Sequence, residues 1–211
     1  MANLMLDGGQ RNGVISLTRG SLPVTFLDSM SPAMSMFPLG SASPGTSTYA
    51  GTAPNELVLN TYSGTQNDRS FGTIQFNHDM EIPAGGTVTF SPHIHWTCSS
   101  NPTTNTFVEW RMCYSGAAPG LTFAEAGTFS STVLTSTGRT TVPTSTGAFA
   151  YRHLLTDLQD FTVASSLVGA SYILAMSVQV SSVSTLDVAP MLLSVDVHYR
   201  VRGGGTVGEY V

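Results

Sequence analysis

The chain contains Ser91-Pro-His-Ile-His-Trp-Thr97 and, beyond a polar turn, Phe107-Val-Glu-Trp-Arg-Met-Cys-Tyr114. In both stretches, apolar or aromatic residues alternate with polar or charged ones. Because successive side chains of a β-strand point to opposite faces, this alternation predicts two adjacent antiparallel strands. One face of each strand belongs to a core. The other face carries histidine, glutamate and arginine.

Strand patterns recur from residue 57 onward, at intervals typical of a two-sheet sandwich. Turn-forming residues such as Pro83-Ala-Gly-Gly86 separate them. One helical turn is expected at 156–161, where Thr156 and Gln159 have the spacing of a capping box. The sequence therefore predicts an all-β protein of about eight strands in a domain spanning 57–202. The predicted strands are 57–62, 71–76, 87–97, 106–115, 128–135, 148–155, 171–180 and 190–202.

The last predicted strand shows the alternation most clearly. Its even-numbered polar residues, Asp196, His198 and Arg200, are expected on the same type of polar face as His93 and His95. Its apolar residues are expected in the core, and they are Met191, Leu193, Val195, Val197, Tyr199 and Val201.

Residues 1–56 differ from the rest of the chain. Four prolines between residues 32 and 54 remove hydrogen-bond donors and block helix formation. The segment is nevertheless too apolar for a freely solvated linker. We predict an extended N-terminal arm that lies along another surface, and the alternative is a long loop packed on its own domain. The candidate contact residues of the arm are Met30, Met34, Met36, Phe37, Leu39 and Tyr49. Residues 203–211 are predicted to form a flexible tail.

The composition excludes several kinds of chemistry. Charged residues make up 10% of the 211 residues, and the net charge is -5. The chain has no lysine, which excludes a P-loop lysine, a Schiff-base lysine and a Ser-Lys dyad. Its arginines are scattered and form no basic stretch, so we expect no nucleic-acid partner.

The expected compartment follows from what the sequence does not contain. No stretch has the apolar length of a membrane span, and the start of the chain has no basic and apolar leader. We therefore expect synthesis in a reducing cytoplasm, with no membrane partner. Cys98 and Cys113 lack the spacing of a metal site and are predicted to be free thiols.

His93 and His95 suggest a metal enzyme, because two histidines on one face of a strand can bind the same ion. Cupins, which are metal enzymes on the same β-architecture, have His-x-His followed after three or four residues by glutamate. Here Ser99 and Ser100 occupy those positions. His198 supplies a third nitrogen only if the last strand lies alongside. Since the ligand set is incomplete, we expect no metal, no cofactor and no enzymatic activity, and a cupin-like metal enzyme is the lesser alternative.

Other catalytic patterns are missing as well. The sequence has no Gly-x-Ser-x-Gly stretch, and Cys98 and His95 point to opposite faces of one strand. The polar faces therefore favour a network of side chains at a contact between subunits. Its candidate members are His93, His95, Glu109, Arg111, Asp196, His198 and Arg200.

Three motifs together resemble a group of virion proteins from tailed bacteriophages. They are Ser91-Pro-His-Ile-His-Trp96, Val108-Glu-Trp110 with Tyr114, and Leu193-Ser-Val-Asp-Val-His-Tyr199, and the resemblance covers roughly residues 70–202. It implies an antiparallel sandwich of jelly-roll type that decorates capsids or builds head and tail appendages. It also implies self-association, as a homotrimer more than as a dimer.

The expected partners and location follow from this resemblance. The chain would contact the major capsid protein or another virion protein on the outer surface of the head or tail. The first expectation is a capsid cement or decoration protein that stabilises the head across seams between capsomers. The alternative is a head or tail fibre or receptor-binding module, with ligands at the loop 99–105.

Overall fold

The computed structural model describes residues 25–38, 44–52, 55–63, 68–78, 80–103, 106–121, 134–142 and 149–201. These residues form antiparallel strands and two short 3-10 turns, Ala33–Ser35 and Ser165–Leu167. None of the helical segments in this part of the chain is long and apolar enough to cross a membrane. The strands are β1 Thr25–Pro32, β2 Phe37–Pro38, β3 Gly45–Thr52, β4 Asn55–Thr61, β5 Arg69–Gln75, β6 Thr87–Cys98, β7 Thr106–Ala117, β8 Leu134–Val142, β9 Leu154–Asp157, β10 Phe161–Ala164, β11 Ile173–Val180 and β12 Pro190–Val201.

The strands pair into one sheet of seven strands and one of five. In the seven-stranded sheet the order is β10-β6-β12-β4-β3, with β1 also beside β12 and β9 also beside β6. In the five-stranded sheet the order is β2-β5-β11-β7-β8. All the strand pairs are antiparallel.

The strand order is that of a jelly roll. Consecutive strands lie in different sheets, except for β3 and β4, β7 and β8, and β9 and β10. In one layer, β12 and β6 lie in the middle, with β1 and β4 outside β12 and with β9 and β10 outside β6. The other layer contains β5, β11, β7 and β8 in that order. The predicted all-β jelly-roll sandwich is confirmed. In the seven-stranded sheet, β1 and β4 both lie beside β12, and β9 and β10 both lie beside β6.

The core lies between the sheets and is rich in aromatic side chains. The Trp96 and Trp110 rings approach within 6.4 Å across it, and Tyr62 meets Trp110 edge-on at 5.2 Å. Burying each large apolar side chain contributes about 1.5–3 kcal/mol. The predicted inward faces of β6 and β7 are confirmed, and β11 buries a face of the same kind. Their buried residues include Val88, Phe90, Ile94, Trp96, Val108, Trp110, Met112, Tyr114, Leu174, Met176, Val178 and Val180.

The predicted pairing of β6 with β7 is wrong. β6 lies between β12 on one side and β9 and β10 on the other, whereas β7 lies between β11 and β8 in the other sheet. Alternation of apolar residues shows which face of a strand is buried. Two paired strands and two strands that face each other across a core show the same alternation. The pattern therefore did not distinguish the two arrangements. Cys98 and Cys113, which lie on these strands, are both free.

Two local predictions are also corrected. The pairing of β12 with β6 shifts register between Leu192 and Ser194. Leu192 therefore joins the core cluster, while Leu193 is only half-buried. The expected helical turn at 156–161 is absent, because Thr156 lies in β9 and Phe161 begins β10. The predicted strand 128–135 overlaps β8 only at residues 134–135, and residues 128–133 lie outside the described residues.

Part of the N-terminal segment belongs to the sandwich. β1 pairs with β12 from Thr25 opposite Val201 to Pro32 opposite Ser194. Met36 is buried against Gly72 of β5. A Cβ atom added to Gly72 would lie 3.0 Å from Cγ of Met36. For residues 25–38 the structure therefore corresponds to the second alternative, a segment packed on its own domain. Residues 1–24 and 203–211 lie outside the described residues.

Candidate functional site

The outer face of the seven-stranded sheet gathers most of the histidines. His93 in β6 lies directly opposite Asp196 in β12, and Ser91 lies opposite His198. Because directly opposite residues of an antiparallel pair share one face, the side chains of β6 and β12 meet on the side away from the core. The last strand thus lies alongside the His-x-His strand, an arrangement that the sequence left open.

Asp196 lies at the centre of this group. Its Oδ2 is 2.9 Å from Nε2 of His95 and 3.7 Å from Nε2 of His93. Although these residues are on an outer face, the side chains of His93 and Asp196 are only 9% and 12% exposed. Neighbouring side chains therefore shield these groups from water, which strengthens the electrostatic interaction between them.

Four imidazoles form a row through this position. The ring centroids are 4.4 Å apart for His198 and His93, 4.9 Å for His93 and His95, and 4.8 Å for His95 and His153. Nδ1 of His95 is 2.5 Å from Nε2 of His153. We call His93, His95, His153, His198 and Asp196 the histidine cluster. At one end of the row, His198 is paired with Asp28 of β1.

His153 and Asp28 did not emerge from the sequence. His153 precedes β9 in a loop and shares no alternating pattern with the other histidines. Asp28 lies in β1, which pairs with the opposite end of the chain. Only the pairing of distant strands brings them to the cluster, so no local pattern could have identified them.

The surroundings set the charge of the cluster. Burial lowers the pKa of His95, and this outweighs the attraction of Asp196, which acts to raise it. Burial acts to raise the pKa of Asp196, but the neighbouring His93 and His95 bring it below its usual value. At neutral pH the cluster therefore combines an ionised carboxylate with a neutral His95 imidazole.

Two polar atoms of the cluster lack a hydrogen bond. Oδ1 of Asp196 is buried without a partner, and so is Nε2 of His95, which is close to Oδ2 of Asp196 without making a hydrogen bond to it. Buried polar atoms are usually satisfied, because an unpaired one costs about 1–3 kcal/mol. The cluster therefore has one nitrogen and one oxygen available to bind a further ligand.

The predicted polar network is divided between the two sheets. The structure brings His93, His95, Asp196 and His198 together, as expected of one face. Glu109 and Arg111 lie on β7 of the other sheet, where Glu109 pairs with Arg139 at 2.8 Å and Arg111 is exposed. Their inclusion in one network is corrected, since it followed from the wrong pairing of β6 with β7. Arg200 pairs with Glu81 at 3.4 Å, farther along β12.

The predicted arm residues have different environments. Met30 and Phe37 are exposed, so both are available for contact with another surface. Met36 is buried in the core and is not available, which corrects that expectation. The side chains of Met34 and Tyr49, and the whole of Leu39, lie outside the described residues.

Exposed apolar side chains border the histidine cluster on both sides. Met30 in β1 lies opposite Asp196 and is 58% exposed. Leu155 in β9 lies opposite His95 and is 46% exposed. We call the surface formed by Met30, Asp196, His93, His95 and Leu155 the histidine face. It combines a polar centre with an apolar border.

The cavities of the described residues lie elsewhere. One, of about 230 Å³, is lined by residues that include Tyr62, Val180 and Pro190. A smaller one, of about 80 Å³, lies beside Glu81 and Arg200. The histidine cluster lines neither of them.

Comparison with known proteins assigns the chain to no family. No family model matches the chain, and no curated protein matches it. Among solved structures, the CBM36-1 domain of a multidomain xylanase from the hindgut metagenome of Trinervitermes trinervoides is similar over 86% of this chain and 100% of that one, with 13% identity and a TM-score of 0.32. Eiger TNF from S. frugiperda is similar over 88% of this chain and 99% of that one, with 8% identity and a TM-score of 0.29.

A viral structure is also similar. The structure of infectious bursal disease virus Gx strain matches 98% of this chain and 39% of its own, with 10% identity and a TM-score of 0.33. TM-scores of this size support no inference about fold or function. The jelly-roll assignment therefore rests on the strand order of the chain itself.

Proposed function

We propose that this chain is a non-enzymatic structural protein of a tailed-bacteriophage virion, and that it binds the head as a cement or decoration protein. The observation that carries the proposal is the histidine face, an outer sheet surface with exposed apolar side chains around a shielded polar centre. The motif resemblance supports the phage assignment, and the jelly roll provides a compact module that is compatible with a structural or binding role.

The histidine face has the composition expected of a protein contact. Specific interfaces combine apolar anchors with polar groups that fix the orientation of the partners. Met30 and Leu155 are available as anchors, and covering them removes apolar area from water at about 25 cal/mol per Å². Asp196 and His93 supply the polar centre. The partner we propose is the major capsid protein or another virion protein.

Repetition of the contact would make it effective on a particle. A standard interface buries about 800 Å² on each partner, and its affinity alone need not be high. We propose that the chain associates with itself, as a homotrimer more than as a dimer, and that linked copies bind neighbouring capsomers. Binding of the second and third copies is then intramolecular, which strengthens attachment without new contacts.

Introducing a negative charge at the apolar border of the histidine face tests this proposal. Met30→Glu and Leu155→Glu place a carboxylate at an anchor, so we expect at least a tenfold loss of binding to particles that lack the protein. Val183 is the matched control, because it is apolar and 52% exposed but lies outside this face. Val183→Glu should bind as the wild type does. Co-sedimentation of purified chain with particles measures all three variants.

Particle stability then separates a cement from a receptor-binding module. We expect particles with the protein to resist heating better than particles without it, and the wild-type chain should restore this resistance. Equal resistance would contradict the cement role. Retained particle binding by both glutamate variants, with binding to host cells lost when the loop 99–105 is altered, would favour the fibre or receptor-binding alternative.

Light scattering with size-exclusion chromatography measures the mass of the purified protein in solution, and a monomer would contradict the proposed homotrimer.

A further inference from the structure

We propose that His93, His95 and Asp196 together bind one divalent transition-metal ion of the zinc, cobalt and nickel class. The inference goes beyond the role in the virion, because it assigns a ligand to the histidine cluster whether or not the chain binds a capsid. It concerns an ion that stabilises the outer face of the sheet, and it assigns no reaction to it.

The donor atoms already lie close to the spacing that such an ion requires. One atom from each of the three residues lies within 4.8 Å of the others. Donors at about 2.1 Å from a tetrahedral ion are about 3.4 Å apart. The Asp196 Oδ2 distances of 2.9 Å to His95 and 3.7 Å to His93 lie on either side of that value. Small rotations of the imidazoles would complete the geometry.

The chemistry of the donors favours the same class of ion. Two imidazole nitrogens and one carboxylate suit zinc and its neighbours, whereas calcium and magnesium prefer oxygen ligands throughout. The unpaired Nε2 of His95 and Oδ1 of Asp196 are both buried in the cluster. A bound ion would coordinate Nε2 of His95 directly. The carboxylate of Asp196 can coordinate the same ion through either oxygen or through both.

The residues around the donors provide support of the kind that metal sites use. A histidine ligand is commonly oriented by a hydrogen bond from its other ring nitrogen. Nδ1 of His95 has such a partner in Nε2 of His153, at 2.5 Å. When Nδ1 carries the proton of this contact, Nε2 of His95 is free to bind an ion. His153 is therefore a positioning residue, and the side chain of His95, which is 20% exposed, leaves a path for the ion to enter.

The site also resolves the argument from sequence against a metal. A His-x-His strand was expected to need a carboxylate a few residues later, where Ser99 and Ser100 stand. The carboxylate comes instead from β12, which pairs with β6 and places Asp196 opposite His93. A ligand supplied by a partner strand leaves no local spacing in the sequence.

Titration of the purified chain with metal tests the site in the absence of any particle. After treatment with a chelator, we expect Zn²⁺ to bind with a stoichiometry of one in calorimetry and to raise the melting temperature. Co²⁺ should give the visible absorption of an ion with nitrogen and oxygen ligands. His93→Ala and Asp196→Asn should each weaken Zn²⁺ binding at least tenfold.

Two further variants keep the test informative. His153→Ala should weaken binding about tenfold while leaving the Co²⁺ spectrum of a three-residue site, since it removes only the orienting hydrogen bond. His78→Ala is the matched control, because His78 lies outside the cluster and is bonded to Ser171, and it should bind as the wild type does. If Asp196→Asn does not fold, His93→Gln gives the same comparison.

The outcomes that overturn the inference are specific. No saturable binding of Zn²⁺ by the folded wild-type chain would do so. So would binding that survives both His93→Ala and Asp196→Asn, or binding that His78→Ala weakens as much as they do. Because no particle is present, each of these results leaves the proposed binding to the capsid untouched.

Discussion

The outer faces of the two sheets carry the same local arrangement in different settings. In the seven-stranded sheet, His93 lies directly opposite Asp196, and in the five-stranded sheet Glu109 lies directly opposite Arg139. Both pairs therefore join neighbouring strands on a surface that faces away from the core. The Asp196 pair is shielded from water, whereas the side chain of Arg139 is 51% exposed.

The position of the strand in its sheet explains the difference. β12 has β6 on one side and β1 and β4 on the other, so side chains from both sides cover Asp196. β8 ends the five-stranded sheet, and Arg139 is therefore open to solvent. In both pairs the side chains on strands with a neighbour on each side are the better shielded ones, and Arg139 on the last strand is the exposed one. The strength of the interaction depends on this shielding.

Removing one carboxylate from each face should give the largest contrast. Asp196→Ala removes the shielded carboxylate beside the His93 and His95 imidazoles, and we expect a loss of about 2 kcal/mol in the free energy of unfolding. Glu109→Ala breaks a solvent-exposed pair and should cost about 0.5 kcal/mol. Urea denaturation in the presence of a chelator measures both without a metal contribution. Equal losses would show that the two faces do not differ in the way we describe.

Lowering the pH should affect the seven-stranded sheet next. The pKa of His95 is lower in the folded chain than in the unfolded chain, where it is about 6.5. Below that value the unfolded state binds a proton that the folded state does not, so stability should fall between pH 7 and pH 5. The pKa of Asp196 is also lowered, and its contribution should be lost at more acidic pH.

His95→Gln tests the origin of this acid sensitivity. Glutamine does not titrate, so the melting temperature of the variant should change less than that of the wild type between pH 7 and pH 5. A loss of 1 kcal/mol corresponds to about 3 °C for a chain of this size. An unchanged dependence on pH would mean that His95 is not its source.

The smallest expected effect is the coupling between Glu109 and Arg139. A double-mutant cycle with Glu109→Ala and Arg139→Ala should give about 0.5 kcal/mol, because water and salt screen the exposed pair. The coupling should decrease further in 1 M salt. Arg139 also lies over the ring of Phe107, at 3.9 Å from its centroid. A large coupling that salt does not reduce would show that this edge is better shielded than its exposure indicates.

Much of the fold was predictable because it depends on local alternation. The buried faces of β6, β7 and β11 follow the alternation of their apolar residues, and so does most of β12. The exception is Leu192, which takes the core position expected of Leu193 after the register shifts. A bulge adds one residue to one strand of a pair and so reverses which side chains face the core beyond it. The apolar pattern in the sequence does not show where this happens.

The candidate site was predictable only in part. His93, His95, Asp196 and His198 share the polar faces that the sequence predicts, and the structure brings them together. Glu109 was expected beside them and lies in the other sheet. The expectation failed because the loop after β6 crosses the sandwich, and loop length alone does not distinguish a hairpin from a crossing.

The sequence by itself determined that this chain is an all-β sandwich, since alternation, turn residues and low charge each act over a few neighbouring residues. It also determined which side chains avoid the core. Only the tertiary structure decided which strands are neighbours, and hence that Asp196 lies against His93 and His95 while His153 and Asp28 complete the row. Strand pairing joins residues far apart in the chain, and its free energy comes from the assembled sandwich, which no single segment contains.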